Sequence, residues 1–243
     1  MLLYNSKIFS FIVQIIAAFI GIYALFQKVP LSILPLKQSL FIEMFVQAIQ
    51  MSMYIWLIFS FNIPTMALLR YIDWFLTTPL MLISLMLYFN YEKYKNDKND
   101  KNDKNDKNDK NDKNDKNENL PELLPDFIRN NKEVIIIVLI SNAFMLFFGL
   151  LGELRYISKF TATFLGFIAL IISLFKIYKN FASKSKQAMY IFIPFSLVWS
   201  LYGIAYMFDE IPKNIFYNFL DIIAKNFFGI FLSLKLLAEI KNI

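Results

Sequence analysis

The chain has 243 residues, 57% hydrophobic and 18% aromatic, with only 6 glycines and a formal net charge of +6. Apolar content above the roughly 45–50% of an average soluble domain, gathered in long blocks, reads as an all-α membrane protein: one helical bundle over residues 1–243, with no room for a second globular domain. Cysteine and histidine are both absent, which removes disulfides, thiolate chemistry, the usual zinc and haem ligands and the usual general base, so most enzyme chemistries lose their best candidates and the lysine excess reports membrane orientation, not nucleic-acid binding.

A first apolar span runs from about Ile8 to Phe26, broken only by Ser10 and Gln14. It is too long for a usual signal-peptide core and lacks a convincing small-residue cleavage site, so it is expected to be a retained first helix. The second span, about Leu40 to Phe61, follows Lys28 and Lys37, and Asn62-Ile63-Pro64 is expected to turn into a third, about Thr65 to Phe89. Seven copies of Lys-Asn-Asp follow, from Lys95 to Asp115. The repeat has no apolar residue, and residues 92–119 are therefore expected to be a disordered loop between the third and fourth helices. Leu120 to Asn131 suits a short surface helix. The fourth, fifth and sixth spans fall at about Val134–Leu151, Phe160–Ile177 and Met189–Phe208, and the seventh at about Ile215–Leu237.

A seven-transmembrane-helix bundle puts the termini on opposite sides. Lys176, Lys179, Lys184 and Lys186 crowd one loop with no acid, whereas the loop after the sixth span carries Asp209 and Glu210 against Lys213. The positive-inside bias then places the N-terminus outside and the C-terminus, with the repeat, in the cytoplasm.

Apart from Lys176 and Lys235 close to span ends, only Glu43, Asp73, Asp221, Arg70 and Lys225 are charged within the spans. A charge at the bilayer centre costs about 2.5–3.5 kcal/mol even on insertion scales, so each needs a reason. Arg70 and Lys225 can offset Asp73 and Asp221, making a neutral cluster that tolerates burial. Asp221 and Lys225 are four residues apart, roughly 6 Å along one helix face. Arg70, Asp73, Thr77 and Ser84 share a face of the third helix; Glu43, Gln47, Gln50 and Tyr54 share one on the second. Such stripes can simply glue helices together, but a carboxylic acid more often marks a proton or ion route. Eleven residues separate Asp73 from Ser84 and Tyr54 from Glu43, about 16 Å of helix, so if the first members are level, Ser84 and Glu43 are level too.

The stretch Arg70-Tyr71-Ile72-Asp73-Trp74-Phe75-Leu76-Thr77-Thr78-Pro79-Leu80 resembles the third helix of microbial rhodopsins, Trp199-Ser200-Leu201-Tyr202 their sixth, and Leu220-Asp221-Ile222-Ile223-Ala224-Lys225 their seventh. The likeness covers all seven spans in order and leaves out only the repeat loop. It implies all-trans-retinal carried as a Schiff base on Lys225, with Asp73 as counterion and primary proton acceptor, Asp221 as second counterion and Arg70 as the switch toward the outer side. Tyr54, Tyr71, Trp74, Thr77, Met81, Met145, Trp199, Tyr202 and Tyr206 are the implied chromophore-binding residues, and a homo-oligomer in the bilayer is expected. The chemistry fits: a cationic imine in low dielectric needs a carboxylate nearby, and moving its charge by photoisomerisation hands the proton to that acid. Thr77, one turn from Asp73, is placed to hydrogen-bond the acid.

The chain departs from that pattern at several points. Ser84 stands where proton pumps often have a carboxylic donor, which turns attention to Glu43 at the same depth; Gly203 stands in place of a common proline, Tyr206 in place of a common tryptophan, and Met81 resembles the green-absorbing choice. The Asp73, Thr77, Ser84 set and the short turn between the second and third helices resemble rhodopsins of large DNA viruses. The intact Arg70, Asp73, Asp221, Lys225 set implies a light-driven outward proton pump. Ser84 and the second-helix stripe, with Ser10, Gln14 and Asn218, leave a light-gated cation channel open, and a light sensor with a separate partner is the third alternative.

Overall fold

The computed structural model describes residues 1–59, 63–105 and 120–242, with side chains from residue 66 to residue 98 in the middle segment. The elements are α1 (Leu2–Leu25), α2 (Leu34–Phe59), α3 (Ile63–Asn105), α4 (Leu124–Asn130), α5 (Lys132–Glu153), α6 (Lys159–Asn180), α7 (Lys186–Tyr206), α8 (Glu210–Asp221) and α9 (Phe228–Lys241). A π-helical turn, Ile222–Phe227, joins α8 to α9. In lipid a spanning segment must satisfy its own backbone, and helices built of Leu, Ile and Phe runs do so while burying no charge.

Among the described residues six helices are individually long and apolar enough to cross a membrane. The seventh crossing is the run from Glu210 to Lys241, which the π turn divides into shorter pieces. Successive crossings pack side by side: α1 on α2, α2 on α3, α5 on α6 and α6 on α7, while α8 and α9 close the ring against α1 and α2. Large apolar side chains such as Phe19, Phe45, Ile140, Phe164, Ile171 and Leu197 point outward, as suits a bundle solvated by hydrocarbon. The protein is multi-pass, and Met1 and the α4 segment lie at opposite ends of the bundle.

Several boundaries differ from the sequence expectation: the first span starts at Leu2 and not Ile8, Ile63 and Pro64 open α3 instead of forming a turn, and the last crossing extends beyond Ile215–Leu237 at both ends. The second span begins at Leu34, because Pro35 falls in its first turn, where a missing N–H costs nothing. The third helix does not stop near Phe89 but continues to Asn105, through the first copies of the repeat. Those residues were expected to be disordered on composition. A helix already nucleated in the membrane elongates at low cost, however, so the first copies of the repeat extend α3 without a core of their own. The rest of the expected loop, residues 106–119, and the turn residue Asn62 lie outside the described residues.

At the repeat-bearing end α4 is pinned rather than floating. Phe127 is fully buried with its ring 5.7 Å from that of Phe181, Glu122 accepts from Asn90 and Asn130, and the Leu124 amide donates to Gln38. Replacing Phe127 with alanine is expected to cost roughly 3 kcal/mol, measured as a lower thermal unfolding midpoint in detergent.

Candidate functional site

Where the π turn widens the last crossing, Lys225 is carried into the centre of the bundle. Its ammonium donates to Asp73 Oδ2 at 2.6 Å, whereas Asp221 Oδ1 on its own helix is 3.9 Å away. The spacing of four that makes Asp221 and Lys225 neighbours in sequence is therefore not the closer contact; the wider turn aims the amine across to α3. π-turns recur where a helix is re-aimed for function.

The two carboxylates differ in what holds them. Asp221 accepts from the Tyr54 hydroxyl on α2 at 2.8 Å and from the Tyr202 hydroxyl on α7 at 2.8 Å, with Arg70 Nη1 at 3.5 Å. Asp73 accepts from Lys225 through Oδ2 alone, and its Oδ1 has no hydrogen-bond partner. All four charged groups are essentially inaccessible, and together they sum to zero, which is the condition for keeping them out of water.

Arg70 is fixed from the last crossing. Its Nε donates to Asn214 Oδ1 at 2.8 Å and its Nη2 to Asn218 Oδ1 at 2.6 Å, and its guanidinium lies 5.4 Å over the Tyr217 ring. Asn218 in turn donates to Ser6 on α1 at 2.7 Å. Asn214 and Tyr217 were absent from the sequence reading, yet the signal was there: Asn214, Asn218, Asp221 and Lys225 recur at four, three and four residues, one continuous helix face.

Beyond Arg70, toward the Met1 end, lies a small cavity bordered by Arg70, Asn214, Tyr217, Glu153 and Lys213. Lys213, expected as a loop charge, is buried and donates to both oxygens of Glu153, at 2.8 and 3.0 Å, and to Glu210 at 2.9 Å. Asp209 beside it is exposed.

Lys225 also borders a larger cavity, whose empty space together with the solvent at its opening is about 780 Å³. Tyr71, Trp74, Met81, Met145, Trp199, Tyr202 and Tyr206 line it. Trp74 stands edge-on to Tyr71, Tyr202 and Tyr217 at 5.3, 5.5 and 4.9 Å. Gly203 lets the Phe167 ring fill the space a side chain there would take, and the Tyr206 hydroxyl donates to the Gly149 carbonyl. Tyr54 and Thr77 are not among the lining residues: Tyr54 serves Asp221, and Thr77 donates to the Asp73 backbone carbonyl at 2.8 Å and not to its carboxyl group. The expected Thr77 bond is corrected accordingly, because a threonine hydroxyl in a helix reaches the carbonyl one turn back.

Toward the repeat-bearing end, Glu43 is wholly buried and neither carboxyl oxygen has a partner. Ser84 sits beside it but gives its proton to the Ser39 carbonyl at 3.1 Å. Gln47 and Gln50 on the same stripe, Asn226 on the π turn and the Gln14 carbonyl oxygen are also without partners. Among the described residues no three Asp, Glu, His or Cys side chains converge to hold a metal.

Asn218 joins α1, α2 and α3 to the last crossing in one set of bonds, so Asn218→Leu is expected to lose roughly 2–3 kcal/mol of stability, against under about 1 kcal/mol for Ser6→Ala; parallel thermal melts in detergent check the difference.

Comparison with known proteins follows the same lines. A family model described as bacteriorhodopsin-like protein matches residues 5–239. Among solved structures the chain is similar to viral rhodopsin OLPVRII, at 22% identity and a TM-score of 0.74 with 96% of each chain covered. It is also similar to a blue light-absorbing proteorhodopsin from Med12, at 20% identity and 0.69 with 98% of each covered, and to the proton pumping rhodopsin AR2 from the marine alga Acetabularia acetabulum, at 18% and 0.68 with 100% of this chain and 97% of that one covered. No curated protein sequence matches the chain.

Proposed function

The chain belongs to the bacteriorhodopsin-like family, and from that membership we propose that it is a light-driven proton pump carrying protons from the repeat-bearing side of the membrane to the side of Met1. The family holds retinal as a Schiff base on a lysine, and the residues present suit that group. The cavity is bordered by Lys225, its walls are mostly aromatic, aliphatic and thioether side chains, and a carboxylate stands 2.6 Å from the nitrogen. When bound, retinal supplies light absorption and a displacement of positive charge at the nitrogen.

The observation that carries the reading is the asymmetry between the two carboxylates. Asp221, saturated by Tyr54, Tyr202 and Arg70, stays an anion that positions its neighbours. Asp73, with one oxygen unpartnered, is the group able to take the proton from the Lys225 nitrogen. Arg70 stands beside Asp221 and next to the small cavity, so a proton leaving Asp73 is directed to the Met1 side. Glu43 lies on the opposite side of Lys225, buried and unpaired; it holds a proton and returns it to the nitrogen, since Ser84 cannot act as an acid. The cluster Lys176, Lys179, Lys184 and Lys186 marks the repeat-bearing end as cytoplasmic, which makes the transport outward.

A second reading, a light-gated cation channel, is favoured by the unpartnered Gln14, Gln47, Gln50 and Asn226 groups, which form a polar seam able to take up water along α1, α2 and the last crossing. Illumination of membranes at zero voltage with matched ions on both sides separates the two. The pump sustains an outward current there; a current that vanishes and reverses with the imposed gradient overturns the first reading in favour of the second. Glu43→Gln is expected to slow reprotonation of the Lys225 nitrogen by about a hundredfold, read by flash spectroscopy, and an unchanged rate removes Glu43 from the role.

A further inference from the structure

Glu43 is cut off from the repeat-bearing surface. It lies nine residues into α2, about 13 Å from that helix's start, and the space above it is filled by Leu36, Leu40, Leu85, Tyr88, Leu232 and Leu236, each 0 or 1% exposed. The serine hydroxyls in this layer offer no route: Ser39 donates to the Pro35 carbonyl and Ser233 to the Gly229 carbonyl, each within its own helix, and the third hydroxyl, that of Tyr88, is paired with Glu92 one turn along α3. A proton can refill Glu43 only if the layer parts.

Above the layer, α3 and α9 are tied by four alternating charges. Lys235 on α9 lies 3.1 Å from Glu92 on α3 and 3.6 Å from Glu239, and Lys95 on α3 donates to the same Glu239 oxygen at 2.5 Å. Glu92 is only 2% exposed, so this is not a solvated surface pair of the kind that contributes little. Lys95 also lies 6.0 Å over the Tyr91 ring. Both ends of the tie matter by position. α9 begins where the π turn holding Lys225 ends, and α3 carries Asp73 and Ser84. Lys225 and Lys235 thus lie ten residues apart on one uninterrupted crossing.

We propose that the Glu92–Lys235–Glu239–Lys95 network is a latch that keeps α9 against α3 and so gates the refilling of Glu43, with Glu92 and Lys235 as positioning residues. In the dark the latch holds the apolar layer dry and prevents Glu43 from exchanging its proton with the surface. After light, movement of α9 breaks the Glu92–Lys235 contact, the layer opens, and water reaches Glu43. The proposal rests on Glu43 as the donor, but the latch itself is a property of α3 and α9.

The test uses the retinal-loaded protein in membranes, with Lys235→Met, Glu92→Gln and the charge exchange Glu92→Lys with Lys235→Glu, each with and without Glu43→Gln. Two quantities are read: the rate at which Glu43 regains its proton after a flash, by infrared carboxyl absorption and pH dye, and amide hydrogen exchange of α9 near Lys235. Either single variant is expected to speed refilling at least fivefold and to raise dark exchange of α9 to the level the wild type reaches only in light. The charge exchange restores both. Refilling and exchange that match the wild type in both single variants, despite a lower melting point, overturn the latch and leave a structural tie; slower refilling also overturns it. If Glu43→Gln leaves nitrogen reprotonation untouched, the donor assignment fails, and the exchange measurement still decides whether the tie opens.

Discussion

The contact between the Lys225 ammonium and Asp73 is the constraint to which the rest of the bundle conforms. An amine at the middle of a membrane is tolerable only beside an anion, and an anion there only beside a cation. One pair would suffice for neutrality. The protein uses two, and the second, Arg70 with Asp221, is what lets the first be asymmetric. Asp221 is saturated by hydroxyls and guanidinium, which leaves Asp73 with a single partner and a bare oxygen. The amine faces the less satisfied of two acids.

Much of this was written in the chain. The seven apolar runs, the five intramembrane charges and the register of Arg70, Asp73, Asp221 and Lys225 follow from periodicity alone, because hydrocarbon enforces the rules of helix length and charge pairing more strictly than water does. The level placement of Ser84 and Glu43 also follows from counting turns from Asp73 and Tyr54. What could not be read was local. The π turn at Ile222–Phe227 has no composition signature, so spacing alone paired Lys225 with Asp221, and only the likeness of the motifs implied Asp73 as its nearer partner. The helical start of the repeat escaped because composition speaks of isolated chains, whereas Glu92 and Lys95 continue a helix already paid for by the membrane. Lys213 looked like a loop charge because its partner Glu153 is sixty residues away.

The bundle also divides its polar groups unequally. On the Met1 side of Lys225 the side chains of Arg70, Asn214, Asn218, Tyr54 and Lys213 are engaged in hydrogen bonds. On the repeat-bearing side Glu43, Gln47, Gln50 and Asn226 are buried and unengaged, beneath a tightly filled apolar layer. The buried polar groups on the Met1 side are thus held by one another, whereas those on the repeat-bearing side are shielded only by apolar packing.

The bonds of Asn218, Asp221 and Lys225 all arise from the last crossing, yet all their partners but Tyr202 of α7, namely Ser6, Tyr54, Arg70 and Asp73, sit on the first three helices. Synthesis delivers the partners first. Until the C-terminal stretch emerges from the ribosome, α3 must reside in or near the bilayer with Arg70 and Asp73 having only each other, three residues apart, as relief. The part of the bundle made last is thus the part that supplies Asn214, Asn218 and Asp221 to the buried guanidinium of Arg70.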